Sequence, residues 1–174
     1  MIFACAGSRP YQFNRLFEEL DRLVASGEVD GEVFAQVGAS DYEPKSFPFE
    51  HFMEPDDFKA AEERADIVIS HGASGSIMGA LNAGKKVIAV ARLAKYGEHI
   101  NDHQVAINET LAAEGLVLNV TDMADLGPAI RALQSGEVEL KPWRNDNPNA
   151  IVDVIDEFIQ EKMLEASVVC VTRG

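Results

Sequence analysis

The residues that decide the fold run from Ala65 to Ala91, "ADIVISHGASGSIMGALNAGKKVIAVA". Two apolar runs of strand length, "DIVIS" and "KVIAVA", flank a segment of small side chains: four glycines and three serines lie between Ser70 and Lys86. Strand, tight loop, short helix and second strand make one βαβ unit whose strands are buried on both faces. Small residues directly after a buried strand mean that something approaches the backbone closely. A helix packed on the loop and a ligand held by it both meet that need.

The same alternation extends in both directions. Further strands are expected at Met1 to Ala6, Val33 to Val37, weakly at Glu50 to Met53, and at Leu116 to Val120, beside Asp66 to Ser70 and Lys86 to Ala91. Between them the spacing predicts helices over Tyr11 to Ala25, Pro55 to Arg64, Ser76 to Ala83, Asp102 to Glu114 and Asp122 to Gln134. A last amphipathic helix is expected from Pro148 to Leu164, with Ile151, Val154, Ile155, Phe158 and Ile159 as its stripe. The reading is an α/β fold, a single Rossmann-like doubly wound parallel sheet, as one domain over residues 1–164 with a tail over 165–174. With strand order 3-2-1-4-5-6, the first and fourth strands are neighbours whose connections leave in opposite directions. A crevice then opens at their C-terminal ends.

Composition bounds the function. The formal net charge is -14, from 29 acidic against 15 basic residues, which gives a nucleic-acid surface no electrostatic support. Only Cys5 and Cys170 occur, and no basic segment followed by a long apolar one opens the chain, so a reducing, cytoplasmic setting is expected. No apolar run nears the roughly 18 residues of a membrane span, so membrane association is expected only through a partner.

Two loops border the expected crevice. Gly72, Ala73, Ser74, Gly75 and Ser76 precede a helix whose first amides lack partners, an open approach for an anion. Gly7 and Ser8 repeat the arrangement after the first strand, Arg9 adds a cation, and Pro10 suits a first helical turn. Ordinary βα turns remain the alternative. Beyond the fifth strand, Arg92, Glu98, His99, His103 and Gln104 form a polar cluster suited to sugar hydroxyls, with a solvated loop as its alternative. Asn101 and Gln104 fit a capping box, which would put His99 outside the helix and removes the geometry for a metal shared with His103. His71, where the fourth strand ends, is a structural histidine, a phosphate donor or an acid/base, the last making it the candidate catalytic residue.

The order "DIVISHGASGSIMGALNAGKKVIAVARLAKYGEHINDHQ" followed by "LAAEGLVLNVTD" resembles the C-terminal domain of family 28 glycosyltransferases. It is most similar to bacterial polysaccharide-synthesis subunits of the PssE and EpsE type and to the catalytic half of the two-subunit UDP-N-acetylglucosamine transferase of the dolichol pathway. The resemblance implies the C-terminal half of a GT-B enzyme that binds a UDP-sugar as substrate, with no cofactor and no metal. It places the diphosphate at Gly72 to Ser76, with Gly7 to Arg9 in support, and the donor sugar at Asp102, His103 and Gln104; Arg92 and the "YGEH" stretch match the polysaccharide subunits. The acceptor, a lipid-linked sugar, would come through a membrane-associated partner subunit. The expected function is donor-binding subunit of an inverting transferase, with a non-catalytic enhancer of the partner as the alternative and an unrelated flavodoxin-like nucleotide-binding or scaffold protein as a third. Two positions depart from the family pattern: Ala73 replaces a glycine, and Gly79 stands where relatives place a ribose-binding glutamate.

Overall fold

Alternating side chains of β1 (Ile2–Cys5) sort the molecule into two layers. Ile2 and Ala4 point into one apolar cluster, Phe3 and Cys5 into the other, the period of two that a strand buried on both faces requires. The computed structural model describes residues 1–144, and Met1–Trp143 form one compact unit. The expected helix at Pro148 to Leu164, the tail, and the boundary between them lie outside the described residues.

The remaining elements are α1 (Asn14–Ala25), β2 (Val33–Gln36), β3 (Phe49–Glu50), α2 (Pro55–Arg64), β4 (Ile67–Ser70), α3 (Ser74–Asn82), β5 (Lys86–Ala89), α4 (His103–Ala113), β6 (Leu118–Asn119) and α5 (Leu126–Ser135). One-turn 3-10 segments at Ala94–Tyr96 and Met123–Asp125 precede α4 and α5. The six strands form one sheet in the order β3-β2-β1-β4-β5-β6, every pair parallel. This is the expected doubly wound sheet.

Local chemistry explains the helices. In α1, Leu16, Phe17, Leu20 and Leu23 recur at helical spacing and are buried together with Phe13 just ahead of it, packed with Leu126, Ile130 and Leu133 of α5 over one face. Pro55 opens α2, and Asp56 and Asp57 sit in its first turn, where the helix dipole favours acids. Ala61 of α2 and Ile77, Ala80 and Leu81 of α3 cover the other face. The α4 helix differs: its buried residues are Gln104 and Asn108, which hold backbone rather than fill a core.

Boundaries moved where side chains compete with helical bonds. The first helix begins at Asn14, not Tyr11, because Gln12 Oε1 takes the Asn14 amide (2.8 Å) and Ser40 Oγ takes that of Phe13 (2.9 Å). The third begins two residues early, at Ser74. The fifth starts as a 3-10 turn, with Asp122 accepting from the Ala124 amide.

Candidate functional site

A cavity of about 780 Å³ opens above the C-terminal ends of β1 and β4, the place where the strand order reverses. Gly7, Ser8 and Arg9 line it from the β1 side, Ala73, Gly75 and Ser76 from the start of α3, and Arg92, His99, His103 and Gln104 from beyond β5, with His71 among them. Among the described residues no carboxylate lines it, although the chain carries 29 acidic residues. Gly72, Ser74, Glu98 and Asp102 do not line it.

The glycines after β4 answer different needs. Gly72 has φ +79°, and a Cβ there would meet the Asn108 amide at 3.0 Å and Gln104 Cβ at 3.2 Å, so this glycine admits α4. Gly75 faces open space and lines the cavity. A Cβ on Gly79 would lie 3.4 Å and 3.5 Å from the two carboxylate oxygens of Glu62, which occupies the notch from α2. Helix packing and ligand access therefore divide the stretch between them. Ala73 is the N-cap of α3 and no side chain caps the helix, so its first amides are free to meet an anion.

The loop after β1 is not a second helix terminus. Ser8 to Pro10 form bends and α1 starts only at Asn14, so Pro10 does not occupy a first helical turn. Gly7 (φ +75°) is required by His71 instead: a Cβ there would fall 2.6 Å from both Cε1 and Nε2 of the imidazole.

Arg92 is 1% exposed, and among the described residues its Nε and Nη1 have no hydrogen-bond partner. An unpaired buried guanidinium is costly. Burial pulls its pKa below the ordinary value. His71, 4% exposed, places Nδ1 3.2 Å from the Cys5 carbonyl oxygen. A carbonyl only accepts, so Nδ1 carries the hydrogen. Burial, reinforced by the Arg92 charge, lowers the His71 pKa to about 4. Beneath them the Cys5 thiol, pushed up to about 11 by burial, contacts Ser76 Oγ at 3.2 Å.

The segment between β5 and α4 is strapped down by groups that looked free in the sequence. Glu98, 1% exposed, binds Arg15 through both oxygens (Nε–Oε1 2.7 Å, Nη2–Oε2 3.1 Å) and takes the Leu93 amide (2.8 Å). Arg15 also donates to the Ala91 carbonyl at 2.6 Å. Asp102 Oδ1 accepts from the Ala94 amide at 2.7 Å. The capping box is absent: Gln104 is buried and its Oε1 accepts from the Arg92 amide at 3.0 Å, while Asp102 is the N-cap. Asn108, with its amide set to satisfy both neighbours, accepts from Ala91 N (3.2 Å) and donates to Gln104 O (3.3 Å). These bonds fix the backbone that delivers Arg92 to the cavity floor. His99 packs between Tyr11 and His103, with ring centroids 5.2 Å and 4.9 Å away, and His103 Nδ1 contacts Asn101 Oδ1.

Gln36, Met53, Pro55, Phe58 and Tyr11 also line the cavity and were not picked out in the sequence. Pro55 and Phe58 open α2 with Met53 just ahead of them, Gln36 ends β2 and Tyr11 precedes α1; no shared motif links the three places, which the fold brings together. A second cavity of about 600 Å³ lies by the N-terminal ends of the strands, where the Met1 amine pairs with Asp66 (2.6 Å), Lys85 Nζ donates to the Glu63 carbonyl (2.6 Å) and Lys86 Nζ to the Leu133 carbonyl (2.8 Å). Among the described residues no helix is long and apolar enough to cross a membrane.

No curated protein sequence matches the chain. Among solved structures, MurG of Acinetobacter baumannii aligns over 92% of this chain and 49% of its own, at 22% identity and a TM-score of 0.65. The glycotransferase of kitacinnamycin aligns over 77% of this chain and 34% of its own (20% identity, TM-score 0.58). The solution structure of ALG13 aligns over 88% of this chain and 92% of its own (16% identity, TM-score 0.55). This chain thus spans between a third and a half of the two larger relatives, and the likenesses establish the shared fold, that of the C-terminal half of a GT-B glycosyltransferase. The model of the glycosyltransferase family 28 C-terminal domain matches residues 1–158. With a match over nearly its whole length, a doubly wound sheet and a cation-lined crevice at the strand reversal, the chain belongs to the glycosyltransferase family 28 C-terminal domain family.

Proposed function

We propose that this chain is the donor-binding component of a two-component inverting glycosyltransferase that moves a sugar from a UDP-sugar to a lipid-linked polysaccharide or oligosaccharide precursor. One observation carries the reading: in a chain of net charge -14, the cavity is lined by Arg9, Arg92 and three histidines and, among the described residues, by no carboxylate. A buried guanidinium with two unpartnered nitrogens is completed by an anion, and the uncapped amides of α3 face the same space. A diphosphate supplies the charge both require. Met53, Pro55 and Phe58 offer an apolar wall for a flat base, while Tyr11, His99, His103 and Gln104 offer ring faces and polar atoms for the sugar.

In this scheme the chain positions the donor and stabilises UDP as it leaves, because Arg9, Arg92 and the α3 amides are already aimed where charge develops. His71 acts at that leaving group. Glu98 and Asp102 act one step back, by holding the segment that carries Arg92 and His99. No metal is required. The acceptor, and the base that activates it, come from a membrane-associated partner at the cytoplasmic face, the arrangement of the PssE and EpsE type subunits that the sequence resembles.

Calorimetry tests the reading. UDP is expected to bind, and Arg92→Met to weaken binding about 100-fold, taking two charge-assisted hydrogen bonds as lost; the urea midpoint should not fall, because an unpaired buried charge is replaced by an apolar chain of similar length. Absence of heat with UDP at millimolar concentration sinks the donor reading. It would favour the second reading, a non-catalytic enhancer that stabilises a membrane-associated transferase. That reading draws on Gly79, where Glu62 fills the space in which relatives carry a ribose-binding side chain.

A further inference from the structure

The tautomer of His71 sets a condition on what the cavity can bind. Nδ1 is committed to the Cys5 carbonyl, so in the neutral ring Nε2 carries a lone pair and no hydrogen. The Cε1–Nε2 edge lies against Gly7 in the cavity wall, and Nε2 has no hydrogen-bond partner among the described residues. The groups that face this ring leave it neutral. From β1 comes the Cys5 carbonyl, from the residues just beyond β5 the Arg92 guanidinium, and from the following loop the His99 imidazole. Arg92 and His99 both oppose a further positive charge, and with burial they hold the His71 pKa at about 4.

A phosphoryl oxygen that reaches Arg92 and the α3 amides therefore meets, at His71, another acceptor. Two lone pairs repel. The same oxygen reverses the local potential, since its negative charge offsets Arg92 and offers an acceptor to an Nε2–H.

Resting on the donor reading above, we propose that His71 takes up one proton from solvent when a nucleotide-sugar diphosphate binds, forming an Nε2–H to phosphate hydrogen bond, and returns it when the nucleotide leaves. Binding and protonation of this ring are then one coupled event. The linkage has a definite sign. Between the low pKa of the free ring and the raised pKa of the complex, affinity increases as pH falls, by up to about tenfold per pH unit; above the pKa of the complex the dependence vanishes.

The chain has four histidines, so the full protein labelled with 15N-histidine gives a readable ring spectrum. UDP-glucose and UDP-N-acetylglucosamine are suitable probes because their diphosphate diester does not titrate near neutrality. In the free protein one ring should show the neutral Nδ1–H pattern. Saturating ligand at about pH 6.5 should convert that ring to the imidazolium pattern. His71→Gln should remove the signal and flatten the pH dependence of affinity, leaving only what His99 and His103 contribute. A complex in which the ring stays neutral overturns the proposal, as does an unchanged slope in His71→Gln. The wild-type spectrum alone decides if that variant fails to fold. Failure of both nucleotide sugars to bind overturns the donor reading itself, and this inference with it.

Discussion

At the scale of single residues, Gly72 and Gly75 separate packing from access. Gly72→Ala forces a Cβ onto Asn108 at 3.0 Å and an L side chain into positive φ, and is expected to cost about 1–3 kcal/mol, read from the urea midpoint. Gly75→Ala meets nothing within 4 Å inside a helix, so stability should hold or rise by up to about 1 kcal/mol, while UDP binding weakens because the new methyl enters the cavity. Equal destabilisation by both would contradict this division. His71 makes a second prediction. Its folded pKa of about 4 lies below the unfolded value, so the unfolded chain takes the proton first and stability is lost as pH falls from about 6.5 toward 4. The loss attributable to this ring is about 3 kcal/mol at the acid end, and chemical denaturation of His71→Gln should show an acid limb shallower by that order. Of these residues, the sequence marked the loops and His71 as a group; that Gly72 serves α4 and that Gly7 serves His71 depends on contacts between residues tens of positions apart.

At the scale of elements, α1 and the segment before α4 behave as one clamp. Arg15 meets Glu98 and the Ala91 carbonyl and lies over the rings of Phe13 and Tyr96, at 5.1 Å and 5.3 Å. Arg15→Met leaves Glu98 buried without its cation, and the expected loss is about 3 kcal/mol of stability, with faster hydrogen exchange over residues 92–101. Glu98→Gln added to that variant should recover part of the loss, since a neutral amide needs no counter-charge. No recovery would mean that the ion pair is incidental. Element identities were legible from periodicity, because buried strands alternate and α1 repeats its apolar positions. Element starts were not, since Gln12, Ser40 and Asp122 take particular amides and no period records such a bond. Glu98 shows a related limit: in the sequence it belongs to a polar cluster suited to sugar hydroxyls or to a solvated loop, and no local signal records that Arg15, 83 positions away, is brought against it.

At the scale of the whole molecule, the described residues form one doubly wound domain with its cavity at the strand reversal. The cavity is open and the chain spans about half of MurG, so the two-component reading predicts that neither this chain nor its membrane-associated companion transfers sugar alone, and that the co-expressed pair does so with UDP-dependent kinetics. Transfer by the isolated chain would refute that partition. The sequence by itself determined the parallel sheet and its small-residue loops, because hydrophobic period and turn composition are local signals; the strand order 3-2-1-4-5-6, on which the place of the crevice depends, is only a premise in the sequence and is fixed by the sheet itself. Only the tertiary structure decided which polar side chains face the cavity and which are spent on backbone. Glu98 and Asp102 look as free as Arg92 in one dimension, and Gln104 both lines the cavity and holds the Arg92 amide. What separates them is whether the fold delivers a partner: Glu98 meets Arg15 and the Leu93 amide, and Asp102 the Ala94 amide, while Nε and Nη1 of Arg92 meet none among the described residues.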